Sequence, residues 1–332
     1  MIDDPETPKR AAAPDGAAPS RRRVLAGIAF AVLTLAATLL LARRLTHTSW
    51  PLARAHMGLV GGAVALYFMS YVFRALGWQK LFPAVDRPGR GRCLTACGAA
   101  AASGVVLPFR LDYVVKVATL RRMPGIKLGL EAIVFSIISL GLVDAVAFLP
   151  LSISATATSS SGFRVPLLLV VLFGLGACAL LVAGRHLPRL PFVARRARLM
   201  RLAERVARHP GGTPRDAIVA WLFLVGCWST RATGSMLLLA GLGAGFSPTL
   251  ALVVLCLAAA ASLIPITSGG AIANVGATAA VLLALGVHRE QAINFGLASG
   301  LLLCTTAAAA AIVGLATSFA LSRRRLVLAR IS

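Results

Sequence analysis

A chain of 332 residues, 58% of them hydrophobic and 14% charged, with mean hydropathy +0.83, has more apolar surface than one water-soluble core of that size buries. This excludes a soluble globular protein and indicates a polytopic membrane protein. The net charge of +23 would suggest nucleic acid in a soluble protein. Here the basic residues cluster between apolar runs, where they report topology, and no nucleic-acid partner is expected.

In chain order, residues 1–23 are rich in Ala, Pro and Asp without apolar periodicity and predict a disordered tail. Ser20-Arg21-Arg22-Arg23-Val24-Leu25 resembles a twin-arginine export signal. The apolar run 24–42 that follows is about as long as a full span, and Ala42-Arg43-Arg44 is a poor cleavage site, so an uncleaved anchor is expected. Further spans are predicted at 57–76, 128–150, 165–183, 217–243 and 291–321. Two apolar stretches, 93–123 and 248–287, are broken by Pro and Gly. Within the Arg-dense loop 185–216, residues 195–208 read as a basic amphipathic helix. Leu199, Leu202 and Val206 lie on one face and Arg195, Arg198, Arg201, Arg205 and Arg208 around the rest, suiting an anionic membrane surface or an acidic partner. The domain reading is a single transmembrane domain, 24–322, between cytoplasmic tails 1–23 and 323–332.

The two broken stretches resemble each other. Ala99 to Ser103 followed by Pro108 matches Ala258 to Ser262 followed by Pro265, and Gly125-Ile126 matches Gly286-Val287. Paired interruptions in two halves of a membrane protein point to a translocation site. Charge sets the topology: if 93–123 dips in from the cytoplasm and returns, Arg110, Lys116, Arg121, Arg122, Lys127 and the loop 185–215 all stay inside. The loop 151–164 then falls outside, and 248–287 is either a two-crossing hairpin or a second re-entrant pair from the opposite face. Arg43, Arg44 and Arg54 run against this count. The expected fold is an all-α polytopic membrane protein of about eight membrane segments, including one or two re-entrant pairs and an inverted repeat, with both termini cytoplasmic.

Arg231, near the centre of its span, needs a partner or a wet cavity. Counted from the cytoplasmic ends of their spans, Asp144 sits at about 24 Å and Arg231 at about 21 Å, so Asp144 is the expected partner. This is either a helix-linking ion pair or part of an anion site. Asp112 and Lys116 are one helical turn apart and can pair; Arg110 and Lys116 are placed to meet a lipid phosphate. The second break, with Thr267, Ser268, Gly269 and Gly270, offers backbone N–H groups and hydroxyls for an anion nest at the start of a helix through Asn274. A plain hairpin turn accounts for it nearly as well.

No catalytic constellation or cofactor motif is found, and the six cysteines suggest neither a metal site nor a disulfide framework. Glu131 and Asp144 lie thirteen residues apart and form no obvious acid–base pair.

Phe73-Arg74-Ala75-Leu76-Gly77-Trp78, Leu107-Pro108-Phe109-Arg110-Leu111-Asp112 through Lys116, Asp144, and Ile264-Pro265 to Gly270 with Gly286-Val287 together resemble the lysylphosphatidylglycerol synthase transmembrane family. The resemblance implies an eight-segment, flippase-like domain that moves aminoacylated or glycosylated lipids between leaflets. Against the family pattern, Asp112 and Lys116 stand where Glu and Arg are usual, Leu140-Gly141 replaces Glu-Arg, and Asn274-Val275 replaces Arg-Glu. The chain ends soon after its last span, so the soluble aminoacyl-transferase domain is expected to be absent and any lipid-modifying enzyme to be a separate partner. The leading expectation is a plasma-membrane translocase, or its accessory subunit, for an anionic, aminoacylated or polyprenyl-linked lipid. The alternatives are a membrane scaffold docking an enzyme through 195–208, and an integral-membrane transferase using Glu131 or Asp112 as base. Oligomeric state is not encoded in any motif.

Overall fold

A computed structural model describes residues 51–104, 107, 111–123, 128–159, 161–183, 213–263 and 270–331, with side chains at all of these except 161, 183, 261–263, 270–274 and 321–331. The first expected span, 24–42, and the basic helix 195–208 lie outside the described residues. The described elements are all helices: α1 (Met57–Lys80), α2 (Arg90–Ser103), α3 (Asp112–Arg122), α4 (Leu130–Thr158), α5 (Ser161–Ala183), α6 (Pro214–Gly241), α7 (Pro248–Leu263), α8 (Gly270–Ala284) and α9 (Arg289–Ile331). Five of them, α1, α4, α5, α6 and α9, are long and apolar enough to cross a membrane.

Contacts give their directions. Along the interface of α1 with α6, the His56 N–H bonds the Gly241 carbonyl, Tyr67 meets Ser235, Ser70 meets Arg231, and Gly77 faces Ala220. Numbers rise on one helix as they fall on the other, so α1 and α6 are antiparallel. The contacts Trp78 to Ser136 and Arg74 to Asp144 make α4 antiparallel to α1. The end of α1 and the start of α4 therefore lie at the same end of the bundle. Between them, α2 with 14 residues and α3 with 11 rise about 21 Å and about 17 Å, too little for a bilayer core of about 30 Å. They form a hairpin that leaves and returns to one end.

The second half repeats this at the opposite end. Gln291 at the start of α9 donates to the Gly243 carbonyl just past α6 (3.0 Å), and α7 and α8 between them have only 16 and 15 residues. Helices α7 and α8 are thus a second re-entrant pair. Exchanging α1 with α6, α2 with α7, α3 with α8 and α4 with α9 maps each packed helix pair not involving α5 onto another packed pair. With its leading helices antiparallel, this is an inverted repeat.

The repeated Gly-β-branched motif has a physical basis at Gly286. Its φ is +84°, its N–H bonds Leu283, and the Val287 N–H bonds Leu282 (3.0 Å for each). This satisfies orphan carbonyls at the end of α8, while Val287 packs into the cluster holding Leu282. The start of α6 is equally local: Thr213 accepts from the Asp216 N–H, ahead of Pro214 in the first turn.

One boundary differs from expectation. The loop expected at 151–164 is helical almost throughout, because α4 runs through Pro150 to Thr158 and α5 begins at Ser161. Ser154, Thr156 and Thr158 donate to carbonyls four residues back, at 2.8, 2.7 and 2.9 Å. These bonds satisfy side-chain hydroxyls within the helix, so a Ser/Thr run that reads as a loop is compatible with helix.

Small residues let α2 and α9 approach closely. A methyl on Gly98 would lie 2.5 Å from the Ala307 carbonyl oxygen, and one on Gly314 would lie 2.6 Å from the Thr95 nitrogen. Both neighbours are backbone atoms, so neither can yield. Gly98→Leu is expected to destabilise the fold by about 3 kcal/mol. Reversible unfolding in detergent would measure it, and an unchanged midpoint would refute the close crossing.

Candidate functional site

A cavity of about 400 Å³ lies between the two halves, walled by α1, α2, α3 and α6 to α9. Its cationic side chains are Arg74, Lys116 and Arg231, and Asp112 is the carboxylate among the described wall residues. Helix α1 organises them. Ser70, Arg74 and Trp78 recur every fourth residue and so share one face, about 6 Å apart along the axis. Each meets a charged or polar group from another helix.

At the first level, the Arg231 Nε donates to the Ser70 hydroxyl (3.2 Å), which itself donates to the Tyr67 carbonyl (2.7 Å). The guanidinium carbon lies 5.2 Å from the Tyr71 ring centroid and 5.5 Å from that of Trp228, within cation–π range. Tyr67 and Ser235 are bonded to each other (3.1 Å), and the Tyr71 hydroxyl donates to the Leu303 carbonyl (3.1 Å). The middle level is an ion pair. Arg74 donates to one Asp144 oxygen (2.7 Å) and the Trp228 indole N–H to the other (2.9 Å). At the third level, Lys116 is 5% exposed, with its Nζ 4.1 Å from the Trp78 ring centroid. The Trp78 indole N–H donates to Ser136 on α4 (3.1 Å).

The expected pairing of Arg231 with Asp144 is corrected. The two residues are close in depth, but α1 supplies a nearer cation, and Trp228, three residues before Arg231 on α6, takes the second carboxylate oxygen. Arg231 turns instead to Ser70 and has no carboxylate within ion-pair distance among the described residues. Asp112 and Lys116 share the wall without pairing; Lys116 lies over Trp78 instead. Glu131 sits exposed in the first turn of α4, off the wall.

Arg110, Thr267, Ser268 and Gly269 lie outside the described residues. Gly270 opens α8 and Asn274 lies in its second turn, with neither side chain described.

Sequence reasoning missed Arg74, Trp78 and Trp228 as site residues. Arg74 carried a usable signal, being a charge in the apolar run of α1, but its position six residues from the helix end resembles that of an interfacial residue. Outside the cavity, Asp216 pairs with Arg87 (3.0 Å) and Lys80 (3.6 Å), tying the end of α1 and its following loop to the start of α6.

Asp144→Asn leaves Arg74 without its counter-charge and is expected to cost about 3 kcal/mol, with the double variant Arg74→Gln/Asp144→Asn regaining most of it. A double-mutant cycle on detergent unfolding measures the coupling; no recovery in the double variant would mean the pair is not coupled.

Searches of curated proteins and of solved structures found no match. A comparison with protein families matches residues 24–309 to the Lysylphosphatidylglycerol synthase TM region, a stretch that includes every residue of the cavity wall. The chain is a multi-pass integral membrane protein linked to lipid handling, and it belongs to the lysylphosphatidylglycerol synthase transmembrane family.

Proposed function

We propose that this protein is a lipid translocase, or the accessory subunit of one, in which a headgroup crosses the bilayer through the cavity between the two halves while the acyl chains stay in the surrounding lipid. The observation that carries this reading is a cavity wall on which Lys116 and Arg231 have no carboxylate within ion-pair distance among the described residues. Cations held at membrane depth without a counter-charge are costly and usually mark an ion or substrate pathway. A headgroup phosphate supplies the missing charge by charge-assisted hydrogen bonds.

The levels along α1 give the pathway an order. Lys116 lies over Trp78, two residues from the end of α1, and meets the headgroup first. Arg231 is two levels deeper, about 12 Å along the axis, beyond the Arg74 to Asp144 pair. Hairpins opening at opposite ends allow one packing to face each side in turn, the alternating-access logic of inverted repeats. The small-residue wall at Ala100, Ala101, Gly104, Gly296 and Gly300 leaves room for a headgroup.

In vesicles containing the purified protein, acyl-labelled phosphatidylglycerol is expected to become accessible to a membrane-impermeant quencher faster than in protein-free vesicles. Arg231→Gln is expected to slow that movement by about tenfold or more with unfolding little changed. An unchanged rate in the variant would remove Arg231 from the pathway, and no movement with folded wild-type protein would refute the translocase reading.

A further inference from the structure

The proposed cavity carries its own charge selectivity. An ammonium-bearing headgroup is recognised by carboxylates or by open aromatic faces. Around this cavity the protein's own cations take several of these. Lys116 covers Trp78, Arg231 lies over both Tyr71 and Trp228, and Arg74 holds Asp144, whose other oxygen takes the Trp228 N–H. Of these acceptors only Tyr71 is on the wall itself, and the wall's other rings, Tyr67 and Phe295, are 1% and 2% exposed. Asp112 is left as the one wall carboxylate among the described residues, four residues from Lys116 on the same helix.

The anion-receiving groups are in the opposite condition. Lys116 is 95% buried, being 5% exposed, and its ammonium touches an aromatic face but no carboxylate among the described residues. Arg231 spends only its Nε, on Ser70, leaving the Nη edge of the guanidinium, the part suited to two phosphate oxygens, without a hydrogen bond among the described residues. We infer that the cavity selects a headgroup whose phosphate ester carries net negative charge and no amine, and discriminates against the aminoacylated form of the same lipid. This rests on the translocase reading and goes against the substrate that the family's description suggests.

The aminoacyl group would place one or two ammonium charges beside Lys116 and Arg231 with only Asp112 to receive them. Like charges brought together in a site of low dielectric are strongly disfavoured.

The test compares four acyl-labelled lipids in phosphatidylcholine vesicles containing the full-length protein: phosphatidylglycerol, phosphatidate, lysyl-phosphatidylglycerol and phosphatidylcholine. Both anionic lipids are expected to reach the quencher about tenfold faster than the lysyl ester or the zwitterion. Lys116→Gln and Arg231→Gln should each narrow that ratio. Because either variant could fold poorly, a thermal-unfolding shift of the wild-type protein in detergent is read with each lipid, and phosphatidylglycerol is expected to raise the midpoint more than its lysyl ester. Movement of lysyl-phosphatidylglycerol as fast as its parent lipid, or equal movement of all four, would overturn the charge selectivity and leave the translocase standing. No movement and no midpoint shift with any lipid would overturn both.

Discussion

The antiparallel contact of α1 with α6 sets the geometry of the rest. Each leads one half of the repeat, so their opposed directions place the two hairpins at opposite ends, and their shared face brings Ser70 and Arg74 of one helix alongside Trp228 and Arg231 of the other. The contact depends on small residues. Gly77 and Gly234 sit against Ala220 and Tyr67 at distances where a methyl would press on the neighbouring helix. Moving α1 away from α6 would separate both the polar levels and the two halves of the cavity.

Polar groups at membrane depth explain why the levels look as they do. Lipid offers no hydrogen bonds, so a buried charge must be satisfied from within the protein or from water in a cavity. Asp144 is satisfied twice, by Arg74 and by Trp228. Lys116 and Arg231 rest on aromatic faces, which hold a cation in place while leaving its donors for another acceptor. Ser136 and Ser235 take up the remaining indole and phenol groups at Trp78 and Tyr67.

Much of this was legible from sequence, for reasons that can be traced. Loop arginines led to reading 93–123 as leaving and returning on one side, and the structure has α2 and α3 leave and return to one end of the bundle. Gly286-Val287 marked a helix end because few residues other than Gly accept a φ of +84°. Depth counting put Asp144 and Arg231 near one level, but depth is a single coordinate and says nothing of azimuth. Which cation faces Asp144 was decided by the rotation of α1 about its own axis; the recurrence of Ser70, Arg74 and Trp78 marks a polar face on α1 but not the helix that this face meets. The run 151–164 was misread because Ser and Thr resemble loop in composition, whereas in apolar surroundings their hydroxyls fold back onto the helix.

Among the described residues, helix α5 takes no part in the cavity and has no counterpart in the exchange that relates the halves. Its large residues Leu169, Leu172 and Val182 face outward. Its role lies in parity. The unit of α1, one hairpin and α4 crosses the bilayer an even number of times, so a tandem copy joined to it directly would point the same way as the original. One added crossing makes the count odd and turns the copy over. A helix with no place in the cavity is therefore what makes the two hairpins face each other across the membrane.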